Sequence, residues 1–154
     1  MGKKINIDKA SNQTQLVGYM RNEILEVLKL EMFNKEIIIY PGAIKHIRER
    51  HPYAFKKYFH RLIEMINKPD YIGIADKENY KIEFIKTYKD NILVALKIDA
   101  GNHVFISSMY IIEESAIEKR IETGRLYKIS LGATPDKEKK HYKNIKRYKL
   151  DPRG

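Results

Sequence analysis

The sequence contains no cysteine, which excludes disulfides, thiolate-ligated zinc and thiol chemistry together. It also lacks any run of about 20 apolar residues, the length a helix needs to cross a bilayer, so no membrane partner is expected. Lys3 and Lys4 are followed by a polar stretch through Asn12, Gln13 and Thr14 rather than by the apolar run of a signal peptide, and the expected place of action is the cytoplasm. No internal repeat of solenoid period is present. Metal-binding spacing is missing as well. His46 and His51 are five residues apart, about 140° around an ideal helix, whereas a helical two-His zinc site uses an i,i+4 pair. No metal and no cofactor are therefore expected.

What the chain does have is positive charge. Thirty Lys and Arg face 20 Asp and Glu among 154 residues, a formal net charge of +10. Such a field attracts polyanions and speeds their encounter, so nucleic acid is the expected partner, RNA ahead of DNA. With 43% hydrophobic and 32% charged residues, the chain is too apolar for disorder and too charged for a membrane protein. Its length suits one domain.

Hydrophobic periodicity divides the chain into a lead-in over residues 1–14, a folded domain over 15–130 and a basic tail over 131–154. Leu16, Val17, Tyr19 and Met20 suit a short strand. Ile24, Leu25, Leu28 and Met32 recur at helical spacing and predict a helix over 22–32. The isoleucines of 36–40 predict a buried strand, stopped by Pro41-Gly42. A helix over 43–50 must end at His51, because Pro52 disfavours helical backbone in the residue before it. Pro52 then suits the first turn of a second helix. Phe55, Phe59, Leu62, Ile63 and Ile66 give that helix one apolar stripe as far as Lys68-Pro69.

From Tyr71 the period changes to two. Runs over 71–75, 81–88, 92–99 and 103–112, joined by short turn sequences, predict an antiparallel β-meander. A short helix over 113–122 follows, with Gly124 as its C-terminal cap. The expected fold class is α+β, with N-terminal helices packed on a four-stranded antiparallel meander sheet. In the tail, residues 137–149 hold seven Lys or Arg against one Glu. Tyr142 and Tyr148 interleave with those cations, a composition that suits phosphate contact with base stacking and equally suits a solvated tail.

Histidine is the side chain best suited to move protons near neutral pH. At the Arg50-His51-Pro52 break, His51 either caps the second helix or leaves the helical face and turns toward His46, where the pair could bind phosphate or transfer protons. His60 reads as a packing or surface residue and His103 as a strand start. Ser107-Ser108 interrupts a strand otherwise apolar on both faces. Ser108 and Tyr110 share one face, so their hydroxyls either hold a phosphate or are satisfied by neighbouring backbone. Lys86, Lys97 and Arg125 are cations placed on strands or after the last helix, where they either neutralise a pentavalent phosphate or are solvated.

Taken in order, His46 and His51-Pro52 on a helix pair, Pro69-Asp70-Tyr71-Ile72, a meander ending in Ser107-Ser108-Met109-Tyr110, and Gly124-Arg125-Leu126 resemble the phage-borne barnase, EndoU, colicin and RelE-like (BECR-fold) nuclease domains. The resemblance spans residues 15–129. It implies a metal-independent endoribonuclease site on the open face of an antiparallel sheet, formed from a helix His, a strand Lys, a strand Ser and a late Arg. The matching positions are His46 or His51, Lys97, Ser108 and Arg125, while no carboxylate can be assigned as general base.

Around that site Arg48, Lys86 and Tyr110, with Lys139, Lys140, Lys143 and Arg147 of the tail, are assigned to RNA contact. A phage or mobile-element toxin of this kind, cutting RNA through a 2′,3′-cyclic phosphate, implies a cognate immunity protein as a second partner. The competing readings are a non-catalytic nucleic-acid-binding protein on the same scaffold and an inhibitor of a host protein.

Overall fold

The structure, a computed structural model, describes residues 13–131. Most of the expected lead-in and nearly all of the basic tail, with Lys139, Lys140, Lys143 and Arg147, lie outside the described residues. In chain order the elements are β1 (Gln15–Tyr19), α1 (Asn22–Leu28), β2 (Glu36–Ile39), α2 (Pro41–Arg50) and α3 (Pro52–Tyr58). A 3-10 turn (Phe59–Arg61) and α4 (Leu62–Asn67) come next, then β3 (Tyr71–Asp76), β4 (Lys81–Thr87), β5 (Asn91–Ile98), β6 (Val104–Ile111), α5 (Glu114–Glu122) and β7 (Leu126–Lys128).

The expected four-stranded antiparallel meander is corrected by the topology. The sheet has seven strands in the order β1-β2-β6-β5-β4-β3-β7, and it is mixed, because β2 runs parallel to β6 through Ile37↔Val104 and Ile38↔Phe105. The meander β3 to β6 is its centre. The physical reason lies at the edges, since a four-stranded sheet would leave the backbone donors and acceptors of β6 and β3 open to other chains. The isolated strand near the N-terminus and the isoleucine strand instead extend the sheet beyond β6, burying Ile37 and Ile39 completely. On the other side β7 pairs with β3 through Gly73↔Leu126. Three residues are too few to show a period, so β7 left no pattern in the sequence.

Three helical boundaries also differ. The first helix stops at Leu28 rather than 32. Lys29 there takes a left-handed conformation (φ 60°), and Leu30 N–H reaches back to the Leu25 carbonyl at 2.9 Å, which closes the helix as a glycine would. Pro41 does more than stop β2, because its fixed φ starts α2. The predicted second helix is broken by the 3-10 turn. The tighter turn re-phases the apolar stripe, so that the adjacent Tyr58 and Phe59 are both buried ahead of Leu62, Met65 and Ile66.

Helices α1 to α4 share one core with the sheet face that carries Ile82, Phe84, Ile92, Val94, Leu96, Ile106 and Met109. Truncating a fully buried ring such as Phe84 to Ala costs about 3–5 kcal/mol. The opposite face carries a smaller cluster, Ile85, Leu93, Ile112 and Leu126, covered by Ile117 of α5. Which residues face which core depends on one bulge. Leu96 pairs with Ile106 but Ala95 pairs with Ser108, so Ser107 is the extra residue, and its hydroxyl donates to the Ala95 carbonyl at 3.2 Å. The bulge reverses the alternation of β6. Beyond it Met109 faces the larger core, and Ser108 and Tyr110 face the other side.

Candidate active site on the second sheet face

Among the described residues, the face that α5 only partly covers gathers most of the polar chemistry. Register places Glu83, Ala95 and Ser108 in one row across β4, β5 and β6, with Ile85, Leu93 and Tyr110 in the next and Lys81, Lys97 and Phe105 beyond. Helices α2 and α3 lie against β6, whose pairing with β2 ends at Phe105, so the break between them borders the part of β6 that carries Tyr110.

His51 occupies that break with φ −132° and ψ 59°. This backbone takes its ring off the helical line. The imidazole packs 5.4 Å from the Tyr110 ring and 5.9 Å from the His46 ring, the two imidazoles standing edge to face at 74°. Burial pushes the His51 pKa below 6.5, and the nearby His46 and Arg50 push it the same way. The ring is thus neutral at pH 7, the form that accepts a proton. Burial, and next the Glu83 carboxylate, raise the Tyr110 pKa, opposed by Arg120 and Arg125. The phenol therefore keeps its proton and can donate.

Glu83 is the residue sequence reasoning missed. It lies within the apolar run Ile82-Glu83-Phe84-Ile85 and is 5% exposed. Arg120 of α5 grips it with two hydrogen bonds, Nε to Oε1 at 3.0 Å and Nη2 to Oε2 at 3.3 Å, and Arg125 Nη2 stands 3.8 Å from Oε1. A lone acidic residue between core positions was the available signal, since a buried charge requires a partner. Two glycines set Arg125 in place. Gly124 takes φ 78° to end α5, and at Gly73 a Cβ would run into the Arg125 carbonyl, so only glycine permits this approach of β7 to β3. Ser108 Oγ is buried and makes no hydrogen bond to the protein.

The structure brings together His46, His51 and Tyr110, and Ser108 shares the sheet face of Tyr110 one row away. Arg125 adjoins them through Glu83, and Lys97 stands in the neighbouring row of the same face. It does not bring in Lys86, which alternates onto the opposite face and donates to the Lys68 carbonyl at 2.8 Å, with Asp70 at 3.6 Å. Arg48 is exposed and lies over the Phe55 ring at 5.4 Å. Among the described residues no three His, Asp or Glu side chains converge as a metal-binding group.

A family model described as phage-Barnase-EndoU-ColicinE5/D-RelE like nuclease3 matches residues 15–119. Comparison with curated proteins and with solved structures found no match. The matched span runs from β1 into α5 and includes the histidine pair, Glu83, Lys97, Ser108 and Tyr110.

Proposed function

The chain belongs to the phage-Barnase-EndoU-ColicinE5/D-RelE like nuclease family, and from that premise we propose that it is a metal-independent endoribonuclease whose site is the His51–Tyr110 cleft. The observation that carries the reading is the His51 imidazole packed against the His46 and Tyr110 rings, where burial holds its pKa down. In this reading His51 takes the proton of an RNA 2′-hydroxyl. The 2′-oxygen forms a bond to the adjacent phosphorus, the bond to the 5′-oxygen breaks, and that oxygen leaves with a proton supplied by His46. The products are a 2′,3′-cyclic phosphate and a 5′-hydroxyl. Tyr110 and the buried Ser108 hydroxyl hydrogen-bond phosphate oxygens, and Lys97 and Arg125 offset the charge that grows on them. Glu83 is no free base here, because it holds the two arginines.

The attacking group is the one DNA lacks, which is why RNA is the proposed substrate. A phage-encoded toxin or effector acting on cytoplasmic RNA, restrained by an immunity protein, follows as the biological setting. A second reading, a nucleic-acid-binding protein without chemistry, draws on the occupied state of Glu83, which leaves the face without an unpaired buried carboxylate. Incubating the protein with mixed RNA and EDTA separates the two. The nuclease reading expects cyclic-phosphate ends that disappear when the 2′-hydroxyl beside the cut is replaced by hydrogen. RNA left intact, or equal cutting of the deoxy substrate, overturns it.

A further inference from the structure

Among the described residues outside the His51 site, rings and cations concentrate along the outer side of α3. Tyr53, two residues after His51, is 54% exposed. Its hydroxyl donates to Asp90 Oδ2 at 3.3 Å and Lys57 Nζ stands 5.5 Å over its ring. Tyr58 donates to the same carboxylate oxygen at 2.8 Å and stacks on Tyr88, 5.4 Å between centroids with planes 13° apart. On the Tyr88 ring lies the Arg61 guanidinium at 5.0 Å, its side chain 48% exposed. Glu64 holds this stack together, accepting from the Tyr88 hydroxyl at 2.7 Å and from Arg61 at 3.3 Å.

We propose that Tyr53 and the outer plane of Arg61 form a stacking platform for the bases of a single-stranded nucleic acid whose backbone continues into the His51 cleft. Three features support it. The flat surfaces are already held by Asp90 and Glu64, so little side-chain freedom is lost when a base lands on them. The carboxylates that do the holding are engaged by tyrosine hydroxyls, and Lys57 and Arg61 lie directly on the rings, where they can meet phosphates. The distance also fits. Asp90 lies three residues before Leu93, the register partner of Tyr110, about 10 Å along the strand, a span of one or two nucleotides. Only unstacked bases offer an open face, so the platform selects single strands over duplexes. The inference rests on the nuclease reading for the continuation of the strand into the His51 site.

Because the sequence has no tryptophan, Tyr53→Trp introduces a single tryptophan at the platform, which can be excited apart from the tyrosines. The probe is a 2′-O-methyl oligoadenylate of about 12 nucleotides, which cannot be cut by 2′-hydroxyl attack, with its duplex as control. Saturable quenching by the single strand and none by the duplex is the expected result. Tyr53→Ala should weaken single-strand binding about tenfold or more, while Tyr53→Phe, which keeps the ring, stays within about twofold of wild type. Absent quenching at saturating oligonucleotide, or an equal loss on single strand and duplex in Tyr53→Ala, overturns the platform. Its failure is distinguishable from that of the nuclease reading. RNA that is cut while the tryptophan stays bright sinks only the platform, and a quenched tryptophan beside uncut RNA sinks only the enzyme.

Discussion

Replacing Glu83 with Ala tests the electrostatic centre of the second sheet face. The carboxylate side chain is 7% exposed and Arg120 19%, so its removal leaves a mostly buried guanidinium whose remaining hydrogen bond in this group is to the Ala116 carbonyl at 3.2 Å. Breaking a buried pair by deleting one partner costs about 3–5 kcal/mol. Arg120 retains a route to water, which favours the lower end, about 3 kcal/mol. For a domain of this size that corresponds to a melting temperature lower by roughly 10 °C. Glu83→Gln keeps the shape and one acceptor and should lose about half as much. Urea denaturation read by circular dichroism gives the free energies. A double-mutant cycle with Arg120→Gln should then return a coupling above about 1 kcal/mol. Replacing both residues with Leu should recover most of the loss, because an apolar pair leaves no charge stranded. A cost below about 1 kcal/mol for Glu83→Ala would refute the reasoning, since it would mean that Arg120 finds water or another acceptor without strain.

His51→Ala should slow RNA cleavage about 10²–10⁴-fold in single-turnover assays while shifting the melting temperature little; if instead the variant melts far lower and cuts normally per folded molecule, His51 is structural and the role passes to His46. Cleavage should lose rate as pH falls through the His51 pKa below 6.5, because protonation removes the base. The same group makes stability fall over that window, since the unfolded chain takes up the proton first as pH drops below 6.5, and a titration with both quantities flat contradicts it. Deleting residues 132–154 should weaken RNA binding and flatten the log–log salt dependence by about 0.7 for each single-strand phosphate that the tail neutralises, measured by fluorescence anisotropy across a salt series.

The strands of the meander were legible because strand-like runs are set off by turn sequences, as where Ile92, Val94, Leu96 and Ile98 keep one face apolar while the other turns polar at Lys97 and Asp99. The helix break at His51 was legible because Pro52 restricts its neighbour. The pairing of distant segments was not. Nothing local to Ile37 specifies that its partner is Val104, sixty-odd residues away, and parallel pairing carries no turn signal. The bulge was half visible: Ser107-Ser108 stood out as polar, yet which serine is the extra one depends on register with Ala95 and Leu96. Glu83 escaped because its partners, Arg120 and Arg125, belong to a helix and a strand reached only through the tertiary fold. The 3-10 turn at Phe59–Arg61 escaped because a stripe that slips by one position looks continuous in sequence.

Why the chemistry gathers on one face follows from how unequally the two are covered. Four helices bury the first face, and there Lys86 is tied to a backbone carbonyl. Among the described residues the second face is covered by the nine residues of α5, which reach Ile85, Leu93 and Leu126 and leave Ala95, Lys97, Phe105, Ser108 and Tyr110 partly open. A partly covered face must tolerate both water and burial, and that intermediate environment depresses the His51 pKa without closing the imidazole off. The Ser107 bulge is what delivers the hydroxyls there. Without it Ser108 and Tyr110 would share the parity of Val104 and Ile106 and point into the larger core. The insertion of Ser107, whose own hydroxyl is satisfied by the Ala95 carbonyl, thus also turns Ser108 and Tyr110 to the second face.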